Sequence, residues 1–325
     1  MFRSKPKFLA TLALTGVMAF GIAACGSSDD SSSDGGSSSG DLSGTIKIDG
    51  SSTVAPLSEQ IAELFQNENP DVKVTVGTSG TGGGFEKFCA GETDISDASR
   101  PIEPDEEAAC KKNNIDTSEL SVANDALTVV VNNDNPVTCM TVDQLNQVWG
   151  PDSKISSWSD IKGLDPAYDE SLDLYGPGTD SGTFDYFTEA INGEEGSSRA
   201  DYNNVGEDDN QTVVGVEGSP GGMGYFGFSF YQENADNLKA MEVDNGKGCV
   251  APSVETAQDG TYVPLSRGLF AYPSAAAMKK PEVKAFLEFY LANVNQVAEQ
   301  AGFIPLTDAQ LSKSEKELTA LESAS

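Results

Sequence analysis

The chain has no histidine among its 325 residues. Neither a Ser–His nor a Cys–His nucleophile pair can be assembled from it. Cysteine is scarce, five in all. No two stand at Cys-x-x-Cys spacing, so neither zinc nor any other metal is expected. Cations are few, 20 Lys and Arg against 51 Asp and Glu for a net charge of −31. That shortage argues against a nucleic-acid partner, because the phosphate backbone needs clustered Lys and Arg. No Gly-x-Ser-x-Gly elbow or Walker loop stands in a suitable context. Carboxylates abound, yet nothing picks out a catalytic pair. The chain therefore reads as a binding protein rather than an enzyme, with no cofactor.

Long apolar runs are also missing after residue 24, so no later segment is expected to span a bilayer. Before that point, Arg3, Lys5 and Lys7 form a basic start and residues 8–24 an apolar run that stops at Ile22-Ala23-Ala24-Cys25-Gly26. This is a leader pattern, and small residues followed by Cys resemble a bacterial lipobox. The resemblance implies a signal peptide over 1–24, cleavage before Cys25 and lipidation of its sulfur. An ordinary signal peptide or a short membrane anchor is the alternative. Residues 26–44 are Ser, Gly and Asp apart from Leu42. With Cys25 they read as a flexible tether (25–44) reaching on the order of 25 Å. Without the leader the chain keeps 17 basic and 51 acidic residues, a charge of −34. The expected location is the outer face of the cytoplasmic membrane, with contact to the membrane through lipid only.

In that oxidising compartment Cys89, Cys110, Cys139 and Cys249 are an even number free to pair. Of the three possible patterns, Cys89 with Cys110 closes a short local loop and Cys139 with Cys249 brackets the middle of the chain. This is the favoured pattern.

About 280 residues remain, enough for two lobes. From residue 45 strand-like and helix-like runs alternate, which argues for a parallel α/β sheet. Residues 45–49 alternate as a strand, and Val54, Leu57, Ile61, Leu64 and Phe65 keep helical spacing. Val72, Val74 and Val76 alternate again, and Phe85 and Phe88 begin the next helix. Residues 127–131 form a β-branched run leaving the first lobe, and 265–272 read as its return. Residues 281–301 form an amphipathic helix with Val283, Phe286, Leu287, Tyr290, Leu291 and Val294 on one face. The expected lobes are 45–130 with 265–325, and 131–264. Two crossings imply a hinge and a cleft.

Three Ser/Thr/Gly clusters stand where strand hands over to helix. They are Gly50-Ser51-Ser52-Thr53, Ser79-Gly80-Thr81-Gly82-Gly83-Gly84 and Asp180-Ser181-Gly182-Thr183. Hydroxyls and unpaired N–H groups at a helix start hold an anion without a formal positive charge. Taken singly, each is an ordinary N-cap or turn. Three in one extracytoplasmic chain point to capture of a small oxyanion.

The run Asp49-Gly50-Ser51-Ser52-Thr53-Val54-Ala55-Pro56-Leu57 resembles the opening of the PstS family, the phosphate-binding proteins of phosphate ABC transporters. Gly80-Thr81-Gly82-Gly83-Gly84-Phe85, Asp94-Ile95-Ser96-Asp97-Ala98-Ser99-Arg100-Pro101, Ser181-Gly182-Thr183 and Gly302-Phe303-Ile304-Pro305-Leu306 follow in the family's order. The resemblance implies a two-lobed periplasmic-binding-protein type II fold with a double hinge crossover and a central cleft. It implies a monomer that binds inorganic phosphate and delivers it to ABC permease subunits. Binders of sulfate or molybdate, or a surface phosphate sensor without a transport role, are the alternatives. It places the Ser52 hydroxyl, the Thr53 amide, Thr81, Gly82, Ser181, Gly182 and Thr183 on the ligand. Two positions depart from the family. Its Arg before the Ser-Gly-Thr turn is replaced by Gly176-Pro177-Gly178-Thr179, and Arg100 is the expected substitute, a structural salt bridge being its other reading. Its proton-accepting Asp is matched by Ser99, with Asp180 as the candidate replacement or else only a helix cap.

Overall fold

The computed structural model describes residues 42–324. The expected leader, Cys25 and residues 26–41 of the tether lie outside the described residues. Alternation of Ile46 and Ile48 makes β1 (Gly44–Gly50), and both side chains are buried. Helix α1 (Ala55–Glu68) follows, with Pro56 in the first turn, where a missing N–H costs nothing. The pattern repeats through β2 (Val72–Gly77), α2 (Gly80–Cys89), β3 (Ile95–Ala98) and α3 (Pro104–Lys112). Strands β2 and β3 flank β1 in parallel.

The chain then runs out along β4 (Leu120–Asn132). The middle region holds β5 (Cys139–Thr141), α4 (Val142–Trp149), β6 (Asp173–Gly176), α5 (Gly182–Asn192), β7 (Asn203–Asn204), α6 (Asp209–Gly218) and β8 (Gly222–Gly227). It continues through α7 (Phe228–Asn234), β9 (Leu238–Ala240), β10 (Glu242–Asp244), β11 (Cys249–Val250) and α8 (Val254–Gln258). Strand β12 (Ser266–Pro273) brings the chain back to α9 (Pro281–Gln300) and α10 (Asp308–Ala324). Among the described residues no helix is long and apolar enough to cross a membrane.

The main sheet has the order β2-β1-β3-β12-β4-β8-β6-β7, with β9 also on β4. Its flanks are parallel, but its centre is not: β12 is antiparallel to both β3 and β4, and β4 to β8. The reason is connectivity. The chain leaves on β4 and returns on β12, so two neighbouring strands must point opposite ways. Along β4 the partner changes from β12 to β8 between Ala126 and Leu127. There the Leu127 N–H donates to the Leu265 carbonyl at 2.9 Å.

The two largest apolar cores among the described residues lie on either side of this joint. One joins Ile46, Leu57, Ile61 and Phe65 to Phe286, Leu287, Tyr290 and Val294 of α9. The helix face read from sequence thus packs on β1 and α1, each buried side chain contributing roughly 1.5–3 kcal/mol. The other gathers Val129, Val131, Trp149, Phe187, Met223 and Tyr225. Disulfides link Cys89 to Cys110 and Cys139 to Cys249. The first ties α2 to α3, and the second joins β5 and β11 on either side of β10. In the chain-entropy account, loops of this size are worth roughly 3 and 4–5 kcal/mol.

Candidate functional site

Each Ser/Thr/Gly cluster sits at the carboxyl end of a strand, where the next helix begins. Gly50 ends β1 at φ +147°, and a Cβ there would overlap the Asp97 carbonyl oxygen. Only glycine allows β1 and β3 to close on each other at this turn. Ser51 is buried in the turn ahead of α1, its Oγ accepting from the Thr53 N–H (3.2 Å) and the Val54 N–H (3.4 Å). Ser52 is exposed to the cleft.

The second cluster opens α2 without a side-chain cap. Ser79 is turned away, its N–H and Oγ both bonded to Asp49 Oδ1 at 3.0 and 2.6 Å. The first-turn amides of α2 thus carry no competing side chain and keep the helix's positive end available. Gly84 packs so tightly under this turn that a Cβ would overlap Gly50 Cα. Thr81 Oγ1 accepts from the Ser99 N–H and shares a hydrogen bond with Ser99 Oγ, both at 3.1 Å. The third cluster starts α5, with buried Ser181 as N-cap accepting from the Thr183 N–H at 3.3 Å.

A cavity of about 310 Å³ is lined by Ser52, Thr53, Thr81, Gly82, Ser99, Arg100 and Arg267 on one side. Asp185, Tyr186, Glu189 and Glu195 face it from the other. A second cavity of about 510 Å³ shares Ser52 and Thr53 and adds Ser181, Gly182, Thr183 and Asp125. A Cβ on Gly182 would stand 3.6 Å from Thr53 Oγ1, so the third cluster abuts the first. Of the residues singled out in the sequence, Asp180 alone lines neither cavity, and it is exposed.

Arg100 lies in the wall with its fork already engaged. Nη1 and Nη2 each donate to a Glu106 carboxylate oxygen at 2.8 Å, and Nε stands 3.3 Å from Glu103. Burial opposes its charge less than Glu106 favours it, so its pKa is raised.

Arg267, at the head of β12, is in sequence only one residue of the expected return strand. Its register partner on β4 is Asp125. Nε donates to Asp125 Oδ2 at 3.2 Å and Nη2 to Thr53 Oγ1 at 3.0 Å. Burial pushes the Asp125 carboxyl up, while Arg267 pulls it back. Asp185 is also raised, first by burial and then by Glu195, with Arg267 opposing. Thus the cation bonded to the first cluster comes from the returning strand β12. The sequence signal was weak: one arginine in an apolar run, its partner 142 residues away.

A family model described as the PBP superfamily domain matches residues 35–294. Protein SphX of Synechococcus elongatus is 50% identical over 264 residues, 80% of this chain and 77% of that protein. The phosphate-binding protein PstS of Staphylococcus saprophyticus is 38% identical over 279 residues, 85% and 84% of the two chains. A solved structure titled as a possible phosphate binding protein from Planctomyces limnophilus matches with TM-score 0.82 and 47% identity, covering 86% of this chain and 99% of that one. An ABC-type phosphate transport receptor from Vibrio cholerae, 23% identical with TM-score 0.64, shares the fold over 80% of this chain and 99% of its own. Family model, full-length relatives and two-lobed architecture agree: this chain belongs to the PstS family of the PBP superfamily.

Proposed function

We propose that this chain is an extracytoplasmic solute-binding protein that captures inorganic phosphate between its lobes and hands it to the permease of an ABC transporter. The observation that carries the reading is the meeting of Thr53, the Arg267 guanidinium and the Gly182 turn at one point. An anion there receives hydroxyls from Ser52, Thr81 and Ser99, and Ser181-Gly182-Thr183 across the cleft. The first-turn amides of α2, including Gly82, add to these, and Arg267 supplies the counter-charge. Asp185 faces the cavity where Asp180 does not. A carboxylate in that place accepts the proton of hydrogen phosphate and meets fully ionised sulfate with an unpaired lone pair. Lobe closure removes water and strengthens these bonds. A permease that reads the closed form is thereby loaded by the ligand's preference for that form.

The lobes in this reading are residues 45–126 with 265–325, and 127–264, joined where β4 changes partner. Cys25 carries the lipid that keeps a monomeric domain at the outer face of the membrane. The strong overall acidity opposes long-range steering of phosphate, but salt screens it beyond about 10 Å.

Calorimetric titration with phosphate, arsenate, sulfate and molybdate tests the reading. Micromolar or tighter phosphate binding, with sulfate and molybdate much weaker, is expected. Tight sulfate or molybdate binding without phosphate binding overturns it. Thr81→Ala and Ser181→Ala are each expected to weaken phosphate by roughly 1–3 kcal/mol, the cost of an unsatisfied partner. Arg100→Ala is expected to lower the melting temperature by losing its pairing to Glu106, while leaving phosphate affinity within about threefold.

A further inference from the structure

Arg267 is held from three directions by three different elements. Asp125 on β4 takes Nε, Thr53 ahead of α1 takes Nη2, and the guanidinium carbon stands 3.5 Å over the ring centre of Tyr186 on α5. Tyr186 is itself pinned. It is 5% exposed, and its hydroxyl donates to the Pro264 carbonyl at 3.0 Å, three residues ahead of Arg267. The same helix begins with Ser181-Gly182-Thr183. Ring and anion loop are therefore one rigid piece, less than two turns apart.

An arginine has a long, rotamer-rich side chain. The Asp125 contact fixes its Nε edge, and the Thr53 contact fixes one hydrogen of Nη2. Neither covers the flat face of the guanidinium. Glu189, on α5 with Tyr186 and 52% exposed, has Oε2 4.0 Å from Nη1. A guanidinium free to tilt pairs with that carboxylate and is lost to the ligand.

We propose that Tyr186 is a positioning residue. Its ring sets the plane of the Arg267 guanidinium, presents the Nη1 side to the anion and holds the Glu189 pair at its 4.0 Å separation. Because the ring rides on α5, the aim of the arginine is tied to the placing of the Ser181-Gly182-Thr183 loop. The aromatic face suits this role: it attracts the cation without competing for its N–H groups. The proposal rests on the reading of Arg267 as the counter-charge.

The test uses Tyr186→Leu, Tyr186→Phe, Arg267→Ala and the double variant Tyr186→Leu/Glu189→Gln, titrated with inorganic phosphate and followed by stopped-flow release. Tyr186→Leu is expected to raise Kd about tenfold or more, chiefly through faster release, as lost preorganisation does. Tyr186→Phe keeps the ring and is expected to recover most of that loss. Removing the competing carboxylate in the double variant is expected to restore part of it, which a merely structural role for the ring would not do. If Tyr186→Leu does not fold, judged by its melt without phosphate, Tyr186→Met takes its place. Leucine-variant binding within about twofold of wild type, with Arg267→Ala more than 100-fold weaker, overturns the role of Tyr186 and leaves the counter-charge standing. Arg267→Ala binding within about twofold of wild type overturns both.

Discussion

Arg267→Ala is expected to weaken phosphate binding by about 3 kcal/mol or more, a Kd at least roughly 100-fold higher. The dianion would lose its nearest positive charge in a cleft that already holds Asp185, Glu189 and Glu195. The same change strands Asp125, a buried carboxylate whose cation partner is Arg267. A partner charge left alone in the interior costs several kcal/mol, so the single variant also melts earlier. The two effects separate by design. Arg267→Ala/Asp125→Ala removes the stranded charge and should recover most of the melting temperature without recovering affinity. Arg267→Lys keeps a charge but not the planar fork, and is expected to fall between wild type and alanine. Titration and thermal melts on the three variants check this. Near-normal affinity in the double variant would move the counter-charge elsewhere, with Arg100 the next candidate. Arg100 would then have to leave Glu106, which now holds both arms of its fork.

The flanks of the fold were legible because they obey local rules. Val54, Leu57, Ile61 and Phe65 repeat at the helical period, Val72, Val74 and Val76 at the strand period, and the structure buries them accordingly or partly so, while Leu64, read on the same helical face, is 42% exposed. The centre was less legible. Strand β4 begins at Leu120, well before the β-branched run at residue 127, because Asn124 and Asp125 interrupt the apolar pattern. Both are buried polar residues satisfied at long range. Asn124 bonds the Pro305 carbonyl and Gln310, and Asp125 bonds Arg267. A buried polar residue looks like a loop residue until its partner is known. The antiparallel centre was hidden for a related reason: periodicity reports a strand, never its direction.

The candidate site divides the same way. Hydroxyl and glycine clusters are contiguous in sequence, so Thr81, Gly82, Ser181, Gly182 and Thr183 could be picked out together. The charged members are not contiguous. Arg267, Asp125, Asp185 and Tyr186 come from three elements and acquire meaning only when β12 lies beside β4 and under α5. Arg100 lines the cavity with Arg267, Asp185 and Tyr186. Its neighbours in sequence made it prominent, but Glu106, six residues on, engages its guanidinium.

Asp97→Asn should stabilise the protein at pH 8 and do little at pH 4. Asp97 follows Ser96 on β3 directly beneath the first anion cluster, its carbonyl accepting from the Ser51 N–H at 2.9 Å. The side chain is 1% exposed, Oδ2 accepts from Ser58 Oγ at 2.7 Å, and Oδ1 has no partner among the described residues. Around it stand Ser58 of α1, itself bonded to the Tyr290 hydroxyl of α9, Asp49 of β1 and Ala271 of β12. Lys87 is bound to Asp49 and does not neutralise Asp97. Burial therefore pushes this carboxyl from 3.8 up to about 7, with the Ser58 bond opposing and Asp49 adding to the rise. A folded pKa above the unfolded one means that the native state holds the proton longer. Stability falls as pH climbs between about 3.8 and 7 and stays low above it. The span corresponds to a penalty of about 4 kcal/mol at most. Asparagine keeps the shape and an acceptor for Ser58 but cannot ionise. At the lower end of roughly 2–4 °C per kcal/mol for a chain of this size, the variant should melt up to about 8 °C higher than wild type at pH 8. The gap should close progressively as pH falls to 4. Melts in matched buffers across that range decide it, and a gap that does not depend on pH would mean that Asp97 is ionised throughout.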